Sequence, residues 1–260
     1  MILKELISSL DRLNVRTGDT ICVFSDLTQF GVPKEIKLEV QRYGVEVLLE
    51  AYIETLISQV GPTGTVIMPA FTYSACEGEI FDLKESKSTV GALTELFRKK
   101  YATHRSQHPI FSFSGLGSKA ADLMEVRTLD CFGSDSFFDH MIRHRGKYVL
   151  FGTTLINSGT FVYFSMQKMQ VPYRYFKEFT GRIKLADQIT EVKVPYYVRH
   201  LDSDVIDHWD VAEDEAIQKN FIIKEFYNGG RILSMEGLQI DYFLTEHLSR
   251  DEYFLTKRAA

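Results

Sequence analysis

The first 170 residues alternate between short apolar stretches and amphipathic stretches, and this rhythm restricts the possible fold more than any other feature of the chain. Thr20–Ser25 (TICVFS) is rich in apolar and β-branched residues, as expected of a buried strand. Apolar residues then recur at helical spacing through Gly44–Val60, and Gly61-Pro62 ends that helix before a second apolar run, Thr65–Pro69. Strands that alternate with helices predict an α/β fold with three α/β/α layers and a mostly parallel central sheet.

The same rhythm continues toward residue 180. One helix is predicted at Val90–Lys100, with Ser88 or Thr89 as its N-terminal cap. Two shorter helices and two strands are predicted from the next 60 residues or so: helices near Ser118–Met124 and Phe137–Arg143, and strands at Pro109–Ser114 and Tyr148–Gly152.

The pattern changes past Gly181. Arg182–Leu185 and Glu191–Val194 alternate about a polar Asp187-Gln188 centre, which predicts an antiparallel hairpin. Further on, the sequence predicts helices at Asp204–Asn220 and Gln239–Ser249, and a strand pair, Phe221–Tyr227 with Arg231–Leu233, across Asn228-Gly229-Gly230. No stretch has the composition of a linker, so we expect a single domain over residues 1–260 with an elaborated, partly antiparallel C-terminal third, about 181–260.

Charge and cysteine content exclude several classes of protein. The net charge of −5 argues against general nucleic-acid binding, which requires a basic surface. Three scattered cysteines without CxxC spacing are typical of free thiols in a reducing compartment. The N-terminal stretch has the pattern of an amphipathic helix, and no apolar run approaches the roughly 20 residues that cross a membrane. A cytoplasmic location without membrane contact is therefore predicted.

Two segments have the residue types that bind phosphate. Ser88-Thr89-Val90-Gly91 opens a predicted helix, whose first N–H groups face outward and favour anions, although capping explains the hydroxyls equally well. Arg105 beside Ser106 can hold a phosphate with two parallel hydrogen bonds. His104 and His108 have the spacing of a metal pair on a helix, but Pro109 favours a loop there, so no metal site is predicted.

The order and spacing of several segments resemble the aminoglycoside 3-N-acetyltransferase family, over roughly residues 1 to 185. The segments that carry the resemblance are Val23–Leu27, Gly61–Thr65, Ser88–Ala92, Arg105–Pro109, Phe132–Ser134, Tyr148–Gly152, Thr160 and Val171–Arg174. Members of this family move an acetyl group from acetyl-CoA to an amino group on a sugar. The resemblance implies the family's α/β fold. It also implies that acetyl-CoA, or another acyl-CoA, lies against Ser25, the Ser88–Gly91 segment including Thr89 and Val90, and the Arg105-Ser106 segment, with no metal.

The chain departs from the family at the catalytic step. The family has a T-x-x-H-x-x-E segment in which the His takes the amine proton and the Glu orients it, and here Thr160 matches while Tyr163 and Met166 replace the other two. A phenol with a pKa near 10 is protonated at neutral pH, and Met cannot act as a carboxylate. We interpret both as residues that pack on a helix. If only the pair is missing, Tyr163→His with Met166→Glu should raise turnover.

Three alternatives follow. A base can come from elsewhere, with Asp26 as the first candidate and Glu77, Glu79, Asp82 and His208 as others. The acceptor can be nucleophilic enough to react without one, while Thr160, Tyr163 or a backbone N–H stabilises the oxyanion. The chain can instead be a catalytically silent subunit that binds a ligand or assembles with an active relative. In the first two cases we expect a small-molecule amine as the partner, attracted by Glu79 and Asp82. A homodimer is a further possibility that the sequence leaves open.

Overall fold

The computed structural model describes residues 1–259. Its strands are β1 (Thr20–Ser25), β2 (Thr65–Pro69), β3 (Ile80–Asp82), β4 (His104–Arg105), β5 (Phe113–Gly117), β6 (Lys147–Phe151), β7 (Arg174–Leu185), β8 (Gln188–Arg199), β9 (Val205–Asp207), β10 (Ile223–Tyr227), β11 (Gly230–Glu236) and β12 (Thr256–Arg258). Its helices are α1 (Lys4–Arg12), α2 (Lys37–Tyr43), α3 (Val45–Val60), α4 (Ser74–Glu77), α5 (Ala92–Lys100), α6 (Ala120–Met124), α7 (Phe137–Arg143), α8 (Leu155–Ser158), α9 (Val162–Lys168), α10 (Asp210–Gln218) and α11 (Gly237–Arg250).

A seven-stranded sheet in the order β10-β11-β6-β1-β2-β5-β4 forms the middle layer. At its centre β1 pairs in parallel with both β2 and β6. Every residue of β2 and of β6 is buried, as expected for strands covered on both faces. On either side the sheet continues with antiparallel strands, β11 next to β6 and β5 next to β2. The predicted α/β fold is confirmed, with its parallel strands in the middle and antiparallel strands toward both edges.

Two apolar cores lie on opposite faces of this sheet, because successive side chains of a strand point to opposite sides. From β1, Ile21 and Val23 join the core that packs against α1, α3 and α5. Cys22 and Phe24 join the other core, which packs against α7, α9 and α11. This arrangement gives the three layers predicted from the sequence. Both cores share one sheet, and a single domain stays our prediction.

The hairpin predicted past Gly181 is present but longer than predicted. Strands β7 and β8 have 12 residues each, and Arg174 lies opposite Arg199 at the far end. Residues 175–178 of β7 are all exposed. This half of the strand therefore lacks the alternation of apolar and polar residues from which the other half was predicted. Strand β3 pairs in parallel with β7, which makes a separate three-stranded sheet.

Strand β8 has a strand partner on one side only within the described chain. Pro195 lies in the middle of β8 and has no N–H, while its carbonyl oxygen accepts a hydrogen bond from the N–H of Cys131 at 3.0 Å. Glu191 and Lys193 lie four and two residues before it. The open edge of the hairpin is therefore interrupted by a proline and by charged residues.

The C-terminal elements follow the sequence closely. Strands β10 and β11 form the predicted hairpin, and Asn228 and Gly229 at its turn have φ of 46° and 89°, the left-handed values that a two-residue turn of this kind requires. Helix α11 agrees with the prediction. The predicted helix at Asp204–Asn220 is shorter, since β9 occupies its start and α10 begins at Asp210.

Two predicted boundaries are wrong. The strand predicted at Pro109–Ser114 begins at Phe113, because the backbone of Ile110 and Ser112 bonds to Thr72 and Ala70 outside the regular ladder. The helix predicted from Val90 begins at Ala92, with Gly91 as its N-cap and no side-chain cap. Ser88 and Thr89 therefore do not cap it.

Candidate active site

The three parallel strands end together at one edge of the sheet. The ends are Ser25 of β1, Pro69 of β2 and Phe151 of β6. Strand β1 pairs with β2 on one side and with β6 on the other, so the connections that follow these strands run to opposite sides of β1. In α/β sheets such a point opens a crevice in which ligands bind. The segments that follow these strands therefore form the candidate site.

Ser25 and Asp26 lie at this edge and are half-buried. The N–H of Asp26 donates to the carbonyl oxygen of Phe151 at 2.9 Å, and its Oδ1 accepts from the N–H and the hydroxyl of Thr28 at 3.0 and 2.6 Å. A Cβ on Gly152 would lie 2.2 Å from the carbonyl oxygen of Asp26, so only glycine permits this close approach. Asp26 is thus held firmly beside the end of β6.

The Ser88–Gly91 segment is tied to the end of β2. Thr89 donates its N–H and its hydroxyl to the carbonyl oxygen of Phe71, at 2.9 and 3.1 Å. Ser88 bonds to the Thr94 hydroxyl at 2.9 Å and donates its N–H to Glu95 at 2.8 Å. These bonds explain why neither hydroxyl caps α5. The Thr89 and Gly91 positions themselves are exposed.

All five N–H groups of the Arg105 guanidinium are engaged inside the protein. They donate to the carbonyl oxygens of Leu83, Ser86 and Ala70, and twice to the hydroxyl of Ser112. Burial lowers the pKa of Arg105 to about 10. The geometry gives Arg105 the structural role of joining the 83–86 loop to the chain after β2, and its direct contact with a phosphate stays a prediction.

Ser106 is also internal, since it is fully buried and its hydroxyl accepts the N–H of Phe113 at 2.8 Å. Its contact with a carrier likewise stays a prediction. The two acidic residues predicted to attract the amine lie beside the hairpin. Glu79 is exposed, whereas Asp82 accepts from two backbone N–H groups and pairs with Lys184 at 2.9 Å. Hydrogen bonding to Lys184 lowers the pKa of Asp82 to about 2.

A groove of about 430 Å³ opens beside Arg105 and α5. Five lysine or arginine residues line it, together with two glutamates. The basic residues are Lys84, Lys87, Arg98, Lys99 and Arg105. We call this the basic groove. It adjoins the segments that the sequence predicts to hold a phosphate-bearing carrier, and its lysines were not singled out from the sequence.

Thr160 and Tyr163 line one cavity of about 170 Å³, on the side of the sheet covered by α9. Residues 156–160 form one wall of it. The remaining walls are aromatic and come from distant parts of the chain: Tyr73, Phe111, Tyr163, Tyr196 and Trp209. We call this the tyrosine cavity. Tyr73 has a φ of 54°, a left-handed value that is rare for a bulky residue and costs on the order of 1 kcal/mol.

The phenols of this cavity stay protonated at neutral pH. Burial raises the pKa of Tyr163, against the opposing effect of the nearby Arg174. Burial and the neighbouring phenol of Tyr163 raise the pKa of Tyr73 to about 12, and the same causes raise that of Tyr196. These groups can therefore donate hydrogen bonds but cannot accept a proton from an ammonium group.

An ion pair lies behind Tyr163. Arg174 bonds to Asp207 at 2.6 Å, and its guanidinium carbon is 4.3 Å from the centre of the Tyr163 ring. Arg174 Nε and Asp207 Oδ1 have no further partner within the described residues. The indole N–H of Trp209, which is 1% exposed, has none there either. Three buried polar atoms near the cavity therefore have unused hydrogen-bonding capacity.

Helix α9 has one face on this cavity and one in the core. Met166 is fully buried and packs in the apolar core, as we interpreted it from the sequence. Tyr163 packs against the same core but also lines the cavity. Tyr73, Tyr196 and Trp209 were missed, because no local pattern connects them with Thr160 and Tyr163, from which they are separated by more than 30 positions in the chain.

The two histidines with metal-pair spacing have different environments. His104 is exposed in β4, whereas His108 is buried and its Nδ1 accepts from the N–H groups of Ile110 and Phe111. Burial lowers the pKa of His108 to about 4. Within residues 1–259, no three His, Cys, Asp or Glu side chains come together to hold a metal ion. No helix in that range is both long and apolar enough to span a bilayer.

The fold is that of the aminoglycoside acetyltransferases. AAC(3)-Xa has a TM-score of 0.80 at 18% identity, over 98% of this chain and 94% of that one. AAC-VIa bound to sisomicin has a TM-score of 0.79 at 19% identity, over 99% and 98% of the two chains. A binary complex of AAC-IIIb with CoASH has a TM-score of 0.78 at 19% identity, over 96% and 97%. A search of curated protein sequences found no match.

A family model described as aminoglycoside 3-N-acetyltransferase matches residues 39–235. The chain therefore belongs to this family, as its motifs indicated. The match ends about 50 residues further along than the resemblance found from the motifs alone.

Proposed function

We propose that the protein is a CoA-dependent N-acyltransferase that moves an acyl group, in the first instance acetyl from acetyl-CoA, to the amino group of a small molecule. Membership of the family over residues 39–235 carries this proposal. Two relatives of the same fold support its two substrates, since AAC-IIIb was obtained with CoASH and AAC-VIa with sisomicin. The acceptor class suggested by the relatives is an amino sugar or an aminoglycoside-like compound.

We propose that acetyl-CoA binds at the basic groove and the adjoining Ser88–Gly91 segment. Five basic residues against two acidic ones make the groove positive, and its lysines suit the pyrophosphate and the 3′-phosphate of CoA, since Arg98 is paired with Glu95 and Arg105 is engaged within the protein. The N-terminus of α5 has no side-chain cap, and the exposed Thr89 and Gly91 lie beside it, which fits an anion there. We propose contacts from Ser25, Ser88, Thr89, Val90 and Gly91, with Arg105 and Ser106 fixing the segment in place.

The reaction at the acceptor end needs an amine lone pair and donors for the oxyanion. The amine nitrogen attacks the thioester carbon, and the carbonyl π electrons move onto oxygen, where the hydroxyls of Thr160 and Tyr163 can donate hydrogen bonds. The C–S bond then breaks, its electrons leave with sulfur, and the proton lost by nitrogen completes the free thiol. Asp26, whose Oδ2 has no partner within the described residues, is the proposed proton acceptor for amines that arrive charged.

Acyl transfer is tested by incubating the purified protein with acetyl-CoA and a panel of amines, with release of free thiol and the mass of the product as readouts. We expect thiol release above the hydrolysis rate measured without amine. Lys84→Ala with Lys87→Ala should weaken acetyl-CoA binding in calorimetry, and more so at low salt, because both charges line the basic groove. The matched control is Lys224→Ala, on β10 and remote in sequence.

A silent subunit is the second candidate, and the loss of both the His and the Glu at Tyr163 and Met166 favours it. It predicts acetyl-CoA or amine binding without thiol release from any amine. Sedimentation analysis would then test whether the chain forms a homodimer. We also propose a cytoplasmic location, for which three free cysteines are the support.

A further inference from the structure

The tyrosine cavity has no ionised side chain among the described residues that line it. The cavity is half-open, so a protonated amine that entered would lose part of its water without gaining a carboxylate in return, and that loss is costly. An uncharged amine gives up far less hydration. The composition of the walls therefore discriminates between the two protonation states of an acceptor.

The charges behind the walls act in the same direction. The Arg174 guanidinium already covers one face of Tyr163, at 4.3 Å from the ring centre. Arg199 also acts electrostatically on this phenol, while Asp207 is the carboxylate nearby and is paired with Arg174. Two positive charges against one negative charge disfavour a second cation on these rings.

The cavity instead offers donors and aromatic faces. The phenols of Tyr73, Tyr163 and Tyr196 line it and hold their protons, and the indole ring of Trp209 lines it as well. A cavity of about 150 Å³ can hold a benzene ring, and this one has about 170 Å³. A flat ring or a small polar nucleophile therefore fits both the size and the chemistry of the walls.

Resting on the proposed acyl transfer, we propose that the tyrosine cavity takes its acceptor as an uncharged, weakly basic amine: an arylamine, a hydrazine or a hydroxylamine. Such a nitrogen has its lone pair available at neutral pH, so attack on the thioester needs no base to remove a proton first. After attack, the nitrogen becomes acidic and releases its proton to water as the thiolate leaves. Catalysis is then possible without the family's His and Glu, because an uncharged amine has no proton that must be removed before it attacks.

Binding can be tested directly, since Trp209 is the single tryptophan of the chain and its fluorescence reports on the cavity. The probes are aniline, cyclohexanol and cyclohexylamine, which are similar in size, the last being a cation at neutral pH. We expect aniline and cyclohexanol to change the emission, with cyclohexylamine at least about tenfold weaker. Equal or tighter binding of cyclohexylamine would identify a cation site and overturn the proposal, as would no response to any probe.

Raising the pH should strengthen binding of cyclohexylamine only. The other titratable groups beside the phenols are Cys76 and Cys131, whose pKa values burial raises, and the charged Arg174, Arg199 and Asp207. A gain near neutral pH therefore reports on the amine itself. Tyr196→Glu, which adds a carboxylate to the wall, should improve cyclohexylamine binding about tenfold, whereas Tyr175→Glu on exposed β7 should not.

Turnover separates this inference from the function on which it rests. With acetyl-CoA, we expect kcat/KM for aniline, phenylhydrazine and hydroxylamine to exceed that for cyclohexylamine and glucosamine by at least about tenfold at neutral pH. Transfer that is as fast to cyclohexylamine as to aniline overturns the acceptor class and leaves acyl transfer standing. No transfer to any of the five overturns both.

Discussion

The basic groove and the tyrosine cavity are both lined by polar groups, but these differ in charge and in hydrogen bonding. In the groove the Arg105 guanidinium uses all five of its N–H groups within the protein, and charge is provided by flexible lysines around it. In the cavity the walls are uncharged, and donors such as the Trp209 N–H are unused. The difference indicates that one region suits a highly charged, hydrated molecule and the other a small uncharged molecule that must be desolvated.

The largest expected effect comes from the core side of α9. Met166→Glu places a carboxylate where the side chain is fully buried, and it should lower the free energy of unfolding by at least about 3 kcal/mol at neutral pH. Because burial raises the folded-state pKa of such a Glu, the loss should be small below about pH 4 and grow as the pH rises. Urea denaturation across this range measures it, with Met166→Leu as the volume-matched control.

The double variant suggested by the sequence, Tyr163→His with Met166→Glu, stays a prediction. Positions 163 and 166 are three residues apart on α9 and are therefore neighbours on the helix, with Met166 in the core and Tyr163 against both the core and the cavity. Higher turnover would show that the two positions can act as a pair, whereas a loss of stability without higher turnover would show that the burial of residue 166 prevents it.

A smaller loss is expected from Arg105→Ala. Its removal leaves the carbonyl oxygens of Leu83 and Ser86 without their donor and that of Ala70 with the Ser112 hydroxyl alone, and unsatisfied buried groups of this kind cost about 1–3 kcal/mol. We expect unfolding free energy to fall by about 2–3 kcal/mol, and Arg105→Lys to recover little because an ammonium has three donors. If stability is unchanged and only acetyl-CoA affinity falls, Arg105 binds the carrier directly, as the sequence predicted.

The next effect is on rate. Tyr163→Phe keeps the ring over Arg174 and deletes one donor, so kcat for the best acceptor should fall about tenfold to a hundredfold. Stability should change by less than about 1 kcal/mol, since the substitution keeps the packed ring. Tyr175→Phe is the control, because Tyr175 is exposed on β7 and stacks on His200. An unchanged kcat in Tyr163→Phe would remove this phenol from the reaction.

The smallest effect concerns Asp82, which the sequence predicted to attract the amine. With a pKa of about 2, its carboxylate contributes stability above its unfolded-state pKa, and this contribution is lost as the pH falls toward 2. NMR titration should show the midpoint rising in Lys184→Met, the variant that removes its partner. An amine substrate that shifts the Asp82 signals in the wild-type protein would contradict our assignment of the acceptor to the tyrosine cavity.

Local chemistry made part of this fold predictable. The apolar run of β1 and the Gly61-Pro62 stop after α3 lie where the sequence placed them, because a strand's burial and a helix's end depend on neighbouring residues. The outer half of β7 was missed, since it is exposed and its pairing with β8 depends on residues far from it in sequence.

The residues of the candidate site also divide into those that the sequence indicated and those that it missed. The sequence indicated Thr160 and Tyr163 through one short motif, and the structure brings them into one cavity. Tyr73, Tyr196 and Trp209 join them only because β8, the β9–α10 segment and the end of β2 converge, which no periodicity encodes. Ser88 and Arg105 have the expected residue types, but their bonding partners, Thr94, Ser112 and three carbonyl oxygens, are set by tertiary structure.

The interrupted outer edge of β8 has a consequence for self-association. A second copy that extended this hairpin sheet by antiparallel pairing would meet Pro195, which offers no N–H, and would have to align Glu191 and Lys193 with their counterparts. Continuous intermolecular ladders are therefore discouraged at this edge. A dimer that forms in solution is expected to use another surface of the molecule.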